Sequence, residues 1–577
     1  MNQLITPICA VACVFATIAS MPSSANAKPS KYGQFAPDDA YLDGSPLAYY
    51  GSENEWSRRQ FSQKKADRSY KRRGQRQLLE ILNGNPKQAI AWGDARLFVD
   101  ANDQESLFTR AVAWTQLGQL DQATDAVKQA VSAGMPIERF LAGPRHLLHP
   151  LTESEPFRAL AAAQLASPLI HGPMLGCLTH ESVRIWVRTV DASPVTVHVF
   201  ACDETGKPTD KLIQTATATT DAQADFTATI EVTGLQPDTV YAYDVLVAGS
   251  SVLNDKHKHF HTFPLQGKSG RFRIAFGGGA GYIPEHERIW DTIASYQPDA
   301  LLLLGDNVYI DLPEEPRGLH RYTYYRRQSR FEFRQLVGST PVYAIWDDHD
   351  CAMDDVWLGP FLDRPVWKQP MLTVFRENWV NPSYGNEQAP GCWFKTSIAD
   401  VDFFFLDTRN YRTNPRGKQP TMLGPVQKKW FRRELERSQA KLKVLVSSVP
   451  WAPESKPGSR DTWDGFPDER AEIFSWIDES KIDGVVLLSA DRHRSEARKI
   501  DRPDAYPLYD LMSSRLTNTH KHECLPGTLF CYNATCSFGL LSFDTTLDDP
   551  SIKYDIVTID GKIVNTLELK LNHLRHP

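Results

Sequence analysis

Residues 299–309, DALLLLGDNVY, and residues 341–350, PVYAIWDDHD, decide how this chain folds. In each, a run of apolar residues without polar alternation ends in a carboxylate. Such runs mark strands buried on both faces of a sheet. The same grammar recurs at 272–276 (FRIAF), 401–408 (VDFFFLDT), 443–448 (KVLVSS) and 484–491 (GVVLLSAD). Between them, PEHERIWDTIASYQ (284–297) and LGPVQKKWFRRELERSQ (423–439) have the three- and four-residue spacing of helices. Residues 270–577 therefore read as a layered α/β domain.

Several of these strands end in acid: Asp306, the group Asp347, Asp348 and Asp350 around His349, Asp407, and Asp491 with His493. Ligands of α/β sheets gather beyond the carboxyl ends of strands, so these groups are expected to converge. Clustered carboxylates repel one another unless a cation neutralises them. Mixed oxygen and imidazole ligands suit Fe, Mn, Zn, Mg or Ca. Two ions about 3.5–4 Å apart would clamp a phosphoryl group and activate water. Asp306, after the first strongly acidic strand end, is the natural bridging ligand.

Working outward, residues 169–266 alternate apolar and polar, as in SVRIWVRTV (182–190) and TVHVFA (196–201). The segment GLQPDTVYAY (234–243) has the composition of a tyrosine corner, with Tyr241 returning its hydroxyl to nearby backbone. We expect a β-sandwich of immunoglobulin or fibronectin III type there. Residues 73–165 turn helical, and Ala111–Ala133, with its turn at Leu117–Leu120, resembles a tetratricopeptide unit. So short a repeat must cap itself or lean on a neighbour, which makes it a candidate docking element for a protein partner. Residues 28–72 are polar and aperiodic, a tether or an arm packed on a later domain.

The apolar stretch Leu4–Ala19 followed by Ala25-Asn26-Ala27 reads as an export signal over 1–27, cleaved near Ala27. The expected location is secreted or periplasmic, with an uncleaved membrane anchor as the alternative. No later segment has the length and apolarity to span a membrane. In an oxidising compartment Cys524, Cys531 and Cys536 lie close enough for a local disulfide, and Cys177 with Cys202 is a candidate cross-strand pair. The formal charge, 64 − 70 = −6, and the lack of a long basic run exclude a nucleic-acid footprint.

The ordered motifs LGDNVY, WDDHD with Asp354-Asp355, LDTRNYR, LGPVQKKW, DTWDGFPDER and SADRHRSEA resemble those of PhoD-type alkaline phosphatases in the calcineurin-like metallophosphatase superfamily. The likeness spans about residues 169–510. It implies a four-layer α/β/β/α catalytic domain, hydrolysis of phosphomonoesters or phosphodiesters, and metal ions, binuclear or more, usually iron with calcium; zinc and manganese are alternatives. Carried over position by position, it implies metal ligation by Asp306, Tyr309, Asp354 with Asp348 as rival, Asp491 and His493.

His349 is the candidate general acid, or else orients an Asp from behind. Asn307 stands where the family often has Tyr and is expected to aim its amide at a phosphoryl oxygen. Arg326, Arg327, Arg409 and Arg412 are candidate phosphate contacts, with Arg409 the catalytic choice. One departure is pointed. Where the family commonly places a metal-binding Cys or acid, this chain has Gly277-Gly278-Gly279. Either backbone N–H groups there bind phosphate, or Cys351 takes over as a ligand, or the first metal position is incomplete. The last case opens an alternative function, a catalytically impaired protein of this fold that acts as a docking module.

Overall fold

The computed structural model describes residues 51–52 and 70–577, apart from 166, 254–256 and 315–316. The expected signal at 1–27 and all but 51–52 and 70–72 of the expected tether at 28–72 lie outside those residues. Among the described residues no helix is long and apolar enough to cross a membrane.

The apolar runs do form buried strands: Ala300–Leu304, Val342–Ile345, Val401–Phe405, Leu442–Val446 and Val485–Ser489 are buried at every position. Arg271–Gly277, Ala300–Leu304 and Val342–Ile345 run parallel in one sheet. Val401–Phe405, Leu442–Val446, Val485–Ser489 and Leu508–Met512 run parallel in a second. The two sheets face each other through aromatic rings, Phe403 at 5.8 Å from Phe543 and Tyr343 at 6.0 Å from Phe405. Helices cover the outsides. Ile289–Ser295 and Phe331–Val337 meet through Trp290 and Phe333, 5.1 Å apart. On the other side Phe431 of Gly424–Arg437 lies 5.9 Å from Phe404 and 6.3 Å from Trp476 of Pro467–Glu479. The result is the α/β layered domain expected.

Ahead of it, Pro194–Cys202, Pro208–Thr219, Val240–Val247 and Lys258–His261 form one antiparallel sheet, and the Gln236 N–H donates to the Tyr241 hydroxyl at 2.9 Å. The other strands of the region, Leu169–Gly176, Ser182–Thr189 and Thr227–Thr233, do not close on themselves. Gly176 pairs with Val342, so these three strands extend the catalytic sheet to nine. The boundary expected at 169–266 thus runs through a continuous sheet. The junction is narrow: Val342 alone pairs with Gly176, and beyond it the Asn381 side chain satisfies the Ala344 N–H and carbonyl at 3.0 and 2.7 Å. Cys177 and Cys202 are both free, so that pairing is corrected; the disulfide joins Cys524 and Cys531.

The helical region comprises Gln75–Leu82, Pro86–Leu97, Gln104–Gln116, Leu120–Ser132, Glu138–Ala142, Arg145–Thr152 and Glu155–Gln164. Asp103 caps the third by accepting from Ser106 N at 2.9 Å, and Ser154 caps the last. Its apolar face leans on the catalytic domain: Leu319 and Tyr322 of Arg317–Gln328 complete the core of Leu78, Phe108, Ala126 and Phe140. Glu105 sits at the joint, 3.0 Å from Arg139 and 3.3 Å from Arg326 and hydrogen-bonded by Tyr322. The neighbour that this segment needs is its own chain.

Candidate metal centre

Three strand ends deliver the centre. Asp306 follows Ala300–Leu304, the 347–355 loop follows Val342–Ile345, and Asp491 and His493 follow Val485–Ser489. Asp306, Asp311, Asp355, Asp491 and His493 all have positive φ, between 45° and 64°. Non-glycine residues are strained there, and such strain concentrates at functional sites.

Ligand-type atoms of Asp306, Asp348 and His349 lie within 4.8 Å of one another, as do those of Asp348, Asp354 and Asp355. Asp348 therefore joins both groups, which brings it and Asp354 together rather than making them alternatives. His493 Nε2 is 3.9 Å from Asp306, and the Tyr309 hydroxyl donates to Asp306 at 3.0 Å. Tyr309 in turn accepts from Asn518 Nδ2 at 2.7 Å. Asp306 Oδ1 and His493 Nδ1 are buried without a hydrogen-bond partner. Buried polar atoms seldom stay unsatisfied, so a bound cation suits this donor set of carboxylates and imidazole.

Charge says the same. Burial, reinforced by Asp348, Asp347 and Asp350, holds the Asp306 carboxyl well above its usual range, although His349 opposes. Burial also keeps the His493 imidazole neutral, the form that ligates, with His520, Lys71, His522 and Arg492 adding to the effect. At His349 burial disfavours the cation, but Asp348, Asp311 and Asp306 outweigh it and raise the ring well above its ordinary range. His349 Nδ1 lies 2.6 Å from Asp311 and Nε2 lies 3.2 Å from Asp354.

Several expected contacts are redirected. Arg409 is fully buried, with Nε donating to Asp347 at 2.6 Å and NH2 to Asp461 at 3.0 Å, so it braces carboxylates instead of facing phosphate. Arg412 pairs with Asp461, Arg327 with Glu287 at 2.6 Å, and Arg326 with Glu105. Asn307 Nδ2 donates to the Ile345 carbonyl at 2.9 Å, which turns its amide N–H into the strand end. Asp407 accepts from the N–H groups of Cys392, Arg409 and Asn410 and shapes its own loop. Cys351 is buried, points at the Asp348 carbonyl and is held as a thiol by burial.

The glycine loop has a steric reason. A Cβ on Gly279 would stand 2.9 Å from His493 Nδ1, and one on Gly278 2.9 Å from Ala490 Cβ. The Gly279 and Ala280 N–H groups donate to Gly305 and Asp306 carbonyls, so they do not form a phosphate cradle.

Other groups at the centre were not foreseen. Lys71 Nζ sits over the Tyr309 ring, 4.1 Å from its centroid. Burial, then Arg72, push the Lys71 amine down to about 8 against the attraction of Asp306, Asp311 and Asp354. Lys456 Nζ is 2.7 Å from Asp355. His520 and His522, 3.2 Å apart through Nε2, lie with ring centroids 5.2 and 5.8 Å from that of His493. A histidine pair just ahead of Cys524 was the readable signal for the last of these.

The family profile described as PhoD-like phosphatase matches residues 274–523, and one for a domain of unknown function matches 166–265. Alkaline phosphatase D of Bacillus subtilis (strain 168) is 23% identical over 407 residues, 60% of this chain and 68% of that protein. A solved structure of PhoD superposes with a TM-score of 0.57 at 18% identity, covering 70% of this chain and 90% of the other. The purple acid phosphatase PPD1 from yellow lupin seeds gives a TM-score of 0.51 at 12% identity, covering 70% and 75%.

Proposed function

Because this chain belongs, through residues 274–523, to the PhoD-like phosphatases and is a phosphoester hydrolase, we propose that it is an exported enzyme that uses metal-activated water for in-line attack on phosphorus. The observation that carries this reading is the approach of Asp306, Asp348 and His349 and of Asp348, Asp354 and Asp355, two groups that share Asp348, together with the buried and unpartnered Asp306 Oδ1. Asp306, Tyr309, Asp348, Asp354, Asp491 and His493 would hold the ions, iron with calcium by resemblance. Bound there, the ions supply Lewis-acid charge to the phosphoryl oxygens and lower the pKa of water.

The chain's own groups do the rest. Arg409 fixes Asp347, and with it the 347–355 loop, against Asp461. His349, oriented by Asp311, gives its Nε2 proton to the leaving-group oxygen as the P–O bond breaks, and recovers one from solvent afterwards. Lys71 offsets phosphate charge, while Lys456 braces Asp355 and Asp461. The docking-module alternative rested on the glycine loop, and His493 fills the space that a side chain there would need. Export is supported by the 1–27 pattern and by the Cys524–Cys531 disulfide, a bond of oxidising compartments.

The test is direct. The purified protein should hydrolyse an aryl phosphate or a bis-aryl phosphate, and chelator or Asp306→Asn should lower the rate by at least about 10³-fold, the several kcal/mol a metal contributes. Activity that survives both would refute metal-dependent hydrolysis. An N-terminus beginning at residue 28 in protein recovered outside the cytoplasm would support export.

A further inference from the structure

Arg72 reaches the centre from 239 residues ahead of its partner, where the polar stretch of sequence showed no pattern. Its guanidinium grips Asp311 with two nitrogens, Nε and NH2, the latter at 3.1 Å. Asp311 is completely buried, and the same Oδ1 that accepts from Arg72 lies 2.6 Å from His349 Nδ1. A carboxylate held between a guanidinium fork and an imidazole has little rotational freedom.

The segment that carries Arg72 is anchored independently. Arg326 donates to the carbonyls of Tyr70, Lys71 and Arg73 at 2.8, 3.1 and 3.2 Å. The Tyr322 hydroxyl, which gives its proton to Glu105, lies 3.1 Å from the Arg73 carbonyl, and Gln75 donates to the Tyr309 carbonyl. Arg326, Tyr322 and Tyr309 all belong to the catalytic domain. We propose that residues 70–75 are a built-in wall of the active centre and that Arg72, acting through Asp311, is a positioning residue that holds His349 Nε2 toward the acidic cluster.

This inference rests on the reading of His349 as the acid that protonates the leaving group. The experiment compares phosphate esters of a poor, alkyl leaving group with those of an activated nitrophenol, in the full-length enzyme. An outer contact to an active-site imidazole is worth about 10–100-fold. Arg72→Ala should lower kcat on the alkyl ester by about that factor and much less on the activated ester, with KM and bound metal unchanged. Arg72→Lys, which keeps the charge on Asp311, should recover part of the loss.

His349→Gln separates the two claims. If it shows the leaving-group-dependent loss and Arg72→Ala does not, the positioning role is overturned while the acid stands. If His349→Gln shows no such dependence, the acid assignment fails and takes the inference with it. In the double variant, Arg72→Ala should add less than about twofold to His349→Gln, since coupled residues are not additive. Full additivity, or an equal loss on both esters, overturns the proposal. Should Arg72→Ala fail to fold by circular dichroism, Arg72→Lys and Asp311→Asn carry the same comparison.

Discussion

The strand-end loops and the segment 70–75 reach one centre by opposite routes. Asp306, Asp348 and Asp491 stand at the ends of buried parallel strands, so the sheet itself determines where they converge. Lys71 and Arg72 arrive from outside the sheet, carried by a helical unit that is seated by Leu319, Tyr322 and Glu105. On the proposed reading the first set would supply ligands and the second would orient and screen them. If both roles hold, metal retention and turnover should be separable, because each would depend on a different seam of the fold.

Breaking the second seam tests that separation most severely. Glu105 is buried among Arg139, Arg326 and Tyr322, and removing one partner from a buried charge network costs about 3–5 kcal/mol. Glu105→Ala should therefore lower the melting temperature by many degrees and reduce turnover while metal content stays at the wild-type level. Loss of metal in step with activity would erase the distinction between the seams.

Acid offers a gentler version. Burial works against the charged form, but Arg139 and Arg326 pull the Glu105 carboxyl down to about 2 from an ordinary value of 4.5. A depressed folded-state pKa gives stability that is present above the unfolded value and lost as pH falls toward the folded one. Thermal melts of wild type and Glu105→Gln should accordingly differ most above pH about 4.5 and converge as pH approaches about 2. A constant difference across that window would remove Glu105 as the latch.

Gly74 is the next lever. It has φ +85°, and a Cβ there would meet the Tyr322 hydroxyl at 2.1 Å. Gly74→Ala should destabilise by about 1–3 kcal/mol through strain and overpacking, and should slow the alkyl ester more than the activated one. An unchanged melt would mean that the turn into Gln75–Leu82 is not held where it lies.

The two seams also differ in how readable they are. Uninterrupted apolar runs ending in Asp make both the strand and the candidate ligand visible, and helical spacing over 73–165 marks the helices that form. What stayed hidden was pairing across long separations. Nothing in YKRRG (70–74) indicates that Lys71 will lie over Tyr309 or that Arg72 will meet Asp311. The arginines failed as phosphate contacts for a related reason: sequence shows a charge but not whether a buried Asp already claims it, as Asp461 claims Arg409 and Arg412. Gly279 was legible as a departure, yet its cause, the His493 ring, comes from a distant part of the chain.

The smallest expected effect concerns Lys71, whose ammonium lies over Tyr309 and within the field of Asp306, Asp311 and Asp354. If the 70–75 segment screens charge for the substrate, its loss should matter in proportion to the charge that enters. A phosphomonoester dianion brings two negative charges and a diester only one. A screening charge without a direct hydrogen bond is worth about 0.2–1 kcal/mol, so Lys71→Gln should raise KM for a monoester by up to about fivefold. The rise for a diester should be distinctly smaller, with kcat and metal content little altered. Equal rises on both substrates would place Lys71 among the packing contacts, and a fall in bound metal would move it to the first seam. Either outcome would leave the segment a wall and not a reader of phosphate charge.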